Sequence, residues 1–290
     1  MDDFHTYLQK SWFYLTHLYS RPAFQWDSLA WILVCAALFI PLALVFPGKR
    51  TQPYFRRDMF SDGIYWFLGP KVYSPIFIYF ATFFFSFKFL QFPALATLPI
   101  LLQAVLILLI TDFLQYWMHR LFHKDLLWRF HAVHHSTTNL DWLSAARFHP
   151  VNIILYSTMM NALVYTLGFS VEAFLILQPF NAIYSPLVHA NLTWNYGPFK
   201  YVLASPVFHR WHHTGIDEGG NKNFAPTFPF IDLMFGTFYM PEGVQPSNFG
   251  AHHDTITGNI LQQLVYPFMS EKTPAEPQPQ PATAQADGKA

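Results

Sequence analysis

Three groups of histidines carry the chemistry in this sequence. His119-Arg-Leu-Phe-His123 is followed seven residues later by His131-Ala-Val-His134-His135, and His209-Arg-Trp-His212-His213 repeats that last spacing far downstream. Residues three and four apart share a helix face, so the spacing predicts that each triplet presents three imidazoles to one point. A neutral imidazole nitrogen binds a metal without bringing a charge. Eight such side chains exceed what one tetrahedral zinc uses, and they suit two ions with positions left open. An all-imidazole set fits iron handling oxygen, while zinc, copper and nickel also accept it. Unrelated surface or core histidines would have no reason to repeat one helical spacing.

Other residues belong to the same reading. His189, in Val188-His-Ala-Asn191, closes an apolar stretch at the membrane level expected for His119 and is a ninth ligand candidate. Asp112 stands seven residues before His119 on one helical stripe, placed to accept the second N–H of a ligand imidazole. His149, in Arg147-Phe-His-Pro150, is a ligand, an outer partner or an interface residue. His252 and His253 are left out of the set, as are His5 and His17. The metal set is therefore His119, His123, His131, His134, His135, His189, His209, His212 and His213. No thiolate accompanies it, acidic residues near it are few, and HExxH is absent, which argues against a zinc hydrolase. A metal transporter would string histidines along a path inside its spans, whereas these cluster outside them.

The elements that must position this set are apolar. The chain has 290 residues, 52% hydrophobic, 19% aromatic and only 12% charged, with a formal net charge of zero. That balance points to lipid rather than water and gives no reason to expect nucleic acid. No nucleotide-binding fingerprint appears, and Cys35, the one cysteine, has no partner for a disulfide. Residues 1–27 read as an amphipathic helix in the membrane interface or an ordinary packing helix. Spans are expected over 29–46, 72–92 and from 95 through Trp117, then over 151–167 and 171–187, the last interrupted by Pro179 and Pro186. The loops 47–71, 119–150 and 189–250 hold five, four and three Lys/Arg respectively, and the links 93–97 and 168–171 hold none. The positive-inside rule puts every clustered histidine on the cytoplasmic face. The expected architecture is all-α: a polytopic membrane protein of four to five helices in hairpins with a cytoplasmic helical cap. The domain would run over 28–270 with its histidine boxes within 119–213. Residues 271–290, proline-rich and without large apolar side chains, are a solvated tail.

Leu127-Trp-Arg-Phe-His131-Ala-Val-His134-His135-Ser, Arg147-Phe-His-Pro150, His209-Arg-Trp-His212-His213-Thr, Asn223-Phe and Asp232-Leu-Met-Phe-Gly236-Thr together resemble the fatty acid hydroxylase and sterol desaturase superfamily. The resemblance covers about Thr111 to Tyr239. Around Trp128-Arg-Phe-His131 it looks most like the alkylglycerol monooxygenase-like and bacterial sterol desaturase-like members. It implies an integral membrane enzyme, in a bacterial inner membrane or the endoplasmic reticulum. Such an enzyme uses two iron ions and O2 to hydroxylate or desaturate a lipid, and zinc is a substitute metal. By resemblance the box ligands fall on the eight clustered histidines, with His189 as the intervening one. Members often carry a further histidine where this chain has Ser185, and an acidic residue where it has Asn152. No fused cytochrome b5 module is visible, so electrons are expected from a separate cytochrome b5 or ferredoxin-type donor or a reductase.

Overall fold

A computed structural model describes residues 22–56, 58–69, 92–215, 218–251, 256 and 259–269. The span expected over 72–92 (all but Phe92), residues 1–21 of the expected N-terminal helix, His252, His253 and the tail lie outside the described residues. Among those described, the structure is helical, with two isolated β-bridges and no strand.

Helix α1 (Pro22–Val45) carries no charged residue from Ser28 onward. Its buried residues Cys35, Phe39 and Ala43 recur every four positions and so form one stripe. That stripe packs on Trp142, Leu143, Ala190 and Leu192, while Leu33, Val34, Leu44 and Val45 remain exposed. Helix α2 (Met59–Leu68) follows, and after it the short α3 (Pro93–Ala96) and α4 (Ile100–Phe122). Ser28–Val45 and α4 are each long and apolar enough to cross a membrane. The 23 residues of α4 extend for about 34 Å, close to the roughly 30 Å of bilayer hydrocarbon.

Helix α5 (Asp125–His135) turns back from the end of α4, and a 3-10 helix (Trp142–Ala146) leads into α6 (Pro150–Leu167), where the fourth span was expected. Helix α6 runs back along α4: the turn after it ties to the start of α4 by the Ser170 N–H donating to Gln103 Oε1 at 2.9 Å. The expected fifth span is instead two pieces, α7 (Val171–Leu175) and α8 (Gln178–His189). Pro179, in the first turn of α8, has no N–H to continue the helix of α7. With twelve residues α8 is about 18 Å long, too short to cross alone. The remaining elements are a 3-10 helix (Gly197–Tyr201), α9 (Pro206–His212), α10 (Phe230–Met234) and α11 (Ile260–Val265).

Several cations counted above for orientation are internal. Arg56 donates to both oxygens of Asp141, at 2.7 and 2.9 Å, and pairs with Asp62. Arg147 donates through Nε to Asp62 at 2.6 Å and through Nη2 to Asp58 at 3.3 Å. Arg56, Arg147 and Arg210 are all buried. Arg56 and Arg147 tie α2 and the loop before it to the 3-10 helix 142–146, and Asp141 also caps that helix through Leu143 N–H and Ser144 N–H.

Candidate metal centre

Each histidine box sits on a helix with a defined start or stop. Ser205 accepts the Phe208 N–H at 3.1 Å and Pro206 opens the first turn, which starts α9 three residues before His209. His119 lies in the last turn of α4 and His123 caps it; His134 and His135 end α5.

The nine imidazoles form two groups. His119, His123, His131, His135 and His212 make the first, and His134, His189, His209 and His213 the second; within each group the ligand nitrogens lie within 4.8 Å of one another. Each triplet is therefore divided, which corrects the expectation of three imidazoles aimed at one point. Side chains four apart on a helix differ by about 40° and those three apart by about 60° in the opposite sense. His131 and His135 accordingly go to one group and His134 to the other. His209 and His213 likewise go together and His212 crosses. The His135 and His213 rings, 4.4 Å apart, join the two groups.

The nitrogens face each other closely. His119 Nε2 and His135 Nε2 lie 3.1 and 3.2 Å from His131 Nε2. In the second group the Nε2 separations are 3.3 Å for His189–His134, 3.0 Å for His209–His189 and 3.1 Å for His213–His209. Ligands bound at about 2.0–2.1 Å and 90–109° to one another sit about 2.9–3.4 Å apart, so these spacings fit nitrogens sharing an ion.

The opposite ring nitrogens say which tautomer is present. The Nδ1–H of His119 donates to the Phe224 carbonyl at 2.7 Å, that of His134 to Arg147 at 3.1 Å, that of His189 to Ser185 at 2.7 Å and that of His212 to Lys222 at 2.7 Å. His131 Nδ1 lies 2.8 Å from Asn152 Oδ1. With the proton on Nδ1, each Nε2 carries a lone pair into the group, where neighbouring lone pairs repel unless a cation lies between them. His123 Nε2 and His212 Nε2 are buried with no hydrogen-bond partner among the described residues. Burial first, and then the neighbouring imidazoles, push His123, His131, His134, His135, His209, His212 and His213 below the ordinary 6.5, so they are neutral at pH 7.

The other candidates lie elsewhere. Asp112 takes no imidazole N–H: its two oxygens accept from Thr227 N–H and Phe228 N–H, each at 2.8 Å. Its link to His119 runs through the loop that also carries Phe224. His149 is in neither group, since its Nδ1 accepts the Val151 N–H and its Nε2 lies 3.1 Å from the Leu264 carbonyl. Ser185 contributes its carbonyl to His189 while the residue itself is exposed. The backbone acceptors Phe224, Arg147 and Lys222 left no trace in the sequence, because any residue type supplies a carbonyl. Asp232 holds the loop that carries Phe224, accepting Phe224 N–H at 2.8 Å and Ala225 N–H at 2.9 Å.

Residues 104–237 match the family model for fatty acid hydroxylase, which bears out the resemblance read from the boxes. The chain is 34% identical to an ornithine lipid hydroxylase of Rhizobium tropici over 175 residues, 59% of this chain and 51% of the relative. It is 31% identical to the human alkylglycerol monooxygenase over 128 residues, 44% of this chain and 28% of that protein. With a Delta(7)-sterol 5(6)-desaturase of Gibberella zeae the identity is 27% over 146 residues, 48% of this chain and 38% of the relative. The chain thus spans about half the length, or less, of these curated relatives. No solved structure matches it.

Proposed function

Taking residues 104–237 as a segment of the fatty acid hydroxylase family, we propose that this protein is a membrane-bound di-iron oxidoreductase that hydroxylates a lipid C–H bond with O2. The observation that carries the reading is the pair of all-imidazole groups, five and four side chains, with the ligand nitrogens of each within 4.8 Å of one another. His119, His123, His131, His135 and His212 would hold one iron, and His134, His189, His209 and His213 the other. Zinc would fill the same positions. Bound there, iron would supply oxygen activation and the oxidising power to cleave an unactivated C–H bond.

What the chain itself does is hold and shield. The carbonyls of Phe224, Arg147, Ser185 and Lys222 lock the imidazole tautomers, and the Asn152 amide holds the His131 ring. Phe148 stacks on His134 at 3.9 Å and Phe122 on His131 at 5.6 Å, so apolar rings exclude water from the imidazoles. In this reading four or five spans carry the substrate lipid laterally to a helical cap on the cytoplasmic side. Electrons come from a separate donor of the cytochrome b5 or ferredoxin type, or from a reductase. The hydroxylase relative, whose name specifies an ornithine lipid, supports a polar membrane lipid as substrate.

The sterol desaturase relative supports a second outcome at the same site, in which two hydrogens are lost and no oxygen is retained. Lipid extracts from cells expressing the chain under labelled oxygen test both. A hydroxylase adds one labelled atom to a single lipid class, and His134→Ala abolishes the gain. Loss of two hydrogens without label makes the protein a desaturase. An unchanged lipid profile with altered metal flux would return the histidines to a transport role.

A further inference from the structure

The chain between Asn223 and Pro241 holds one charged residue, Asp232, and that residue is fully buried. What it exposes is apolar: Phe230, Leu233 and Met234 of α10, with Met234 67% exposed. Its two ends meet at a neck. The Asn223 N–H donates to the Thr237 carbonyl at 2.9 Å, and Asn223 Nδ2 donates to the Tyr239 carbonyl at 2.6 Å.

From that neck the segment descends along α4 in steps. Phe224 meets His119, three residues from the end of the helix. Thr237 Oγ1 meets the Tyr116 hydroxyl at 3.0 Å, one turn deeper. Thr227 and Phe228 meet Asp112, ten residues from the end, which is about 15 Å down a helix of about 34 Å. The Phe235 ring packs against Phe113 and Trp117 at 6.1 and 4.8 Å. Leu109, Phe113 and Trp117 are themselves exposed, so the apolar face of α4 continues onto α10.

Irregular backbone survives at hydrocarbon depth only where its polar groups are satisfied within the protein. Here Asp112 takes the N–H groups of Thr227 and Phe228, and Asp232 those of Phe224 and Ala225. That is a physical use for a carboxylate in the middle of an apolar helix. We propose that residues 225–236 form a re-entrant segment that enters the bilayer beside α4 from the face carrying the histidine groups, with Leu233 and Met234 against acyl chains. The proposal rests on the reading that α4 spans the membrane.

Cysteine scanning of the full chain in lipid vesicles tests it, in a Cys35→Ala background so that one thiol is labelled at a time. Met234→Cys and Leu233→Cys probe the segment, Leu109→Cys the span and Glu242→Cys the water phase, the Glu242 side chain being 93% exposed. A fluorophore at Met234→Cys should be quenched by lipids with a nitroxide deep in the acyl chain to within about twofold of Leu109→Cys, and be about tenfold less sensitive to aqueous iodide than Glu242→Cys. Leu233→Cys gives the same reading if Met234→Cys does not fold. If Leu109→Cys meets the nitroxide but both α10 labels meet iodide, or neither quencher, re-entry is wrong and the span stands. If Leu109→Cys itself meets iodide, the spanning role of α4 falls with it.

Discussion

Among the described residues, Asn152 is the non-histidine side chain that meets a grouped imidazole at hydrogen-bond distance. Its Oδ1 is the acceptor that holds His131 Nδ1, and His131 Nε2 lies beside both His119 and His135. Asn152→Leu leaves the buried ring free to turn, and loss of such an outer partner costs about 10–100-fold in metal affinity. The expected result in a metal titration of purified protein is one weakened site, the one held by the five-histidine group, beside one unchanged. Equal weakening of both would contradict the division into two groups. By contrast, Ser185→Ala leaves the carbonyl that His189 uses in place, so metal content should not change.

At the scale of elements, buried carboxylates and arginines hold loops on helices. Asp112→Leu strands the N–H groups of Thr227 and Phe228, at about 1–3 kcal/mol for each buried donor left without a partner. The measurement is a lower denaturation midpoint, with a further loss of metal from the five-histidine group as the Phe224 carbonyl shifts from His119. Arg147→Met removes one of the two cations that Asp62 faces, Arg56 remaining, so the loss should fall below the about 3–5 kcal/mol of a buried pair broken outright. Because the Arg147 carbonyl also takes the His134 Nδ1–H, this variant should loosen the four-histidine group first. Metal analysis site by site would show the order. These same arginines look in sequence like topology-setting charges, and only their partners in space reveal the structural role.

For the whole molecule, the shared behaviour of the imidazoles sets a pH dependence. Seven of them titrate below the ordinary 6.5 because they are buried and crowd one another. Above that value folded and unfolded chains are both neutral there, and no difference arises. As pH falls through 6.5 the unfolded chain takes up protons that the folded one refuses, so stability falls on the acid side. Metal-free protein should therefore show a melting temperature that is level above about pH 7 and drops steeply below about pH 6. A flat profile from pH 5 to 8 would mean the imidazoles are more open to water than their burial indicates.

The local pattern alone determined the helices of the boxes, the nine ligand candidates and the resemblance to a family, since spacing along a helix and residue type are local properties. The fourth apolar stretch, 151–167, became a helix as the pattern required, whereas the stretch after Val171 broke at Pro179, where a missing N–H outweighed hydrophobic length. Tertiary structure decided which imidazoles lie together. A triplet on one helix turns its members apart by about 100° in all, and only α4, α5, α8 and α9 brought together supply each half with its complement. It also decided the role of Asp112. From the chain its place on the His119 stripe suggested an imidazole partner, but the loop 223–237, more than a hundred residues away in sequence, reached its carboxylate first.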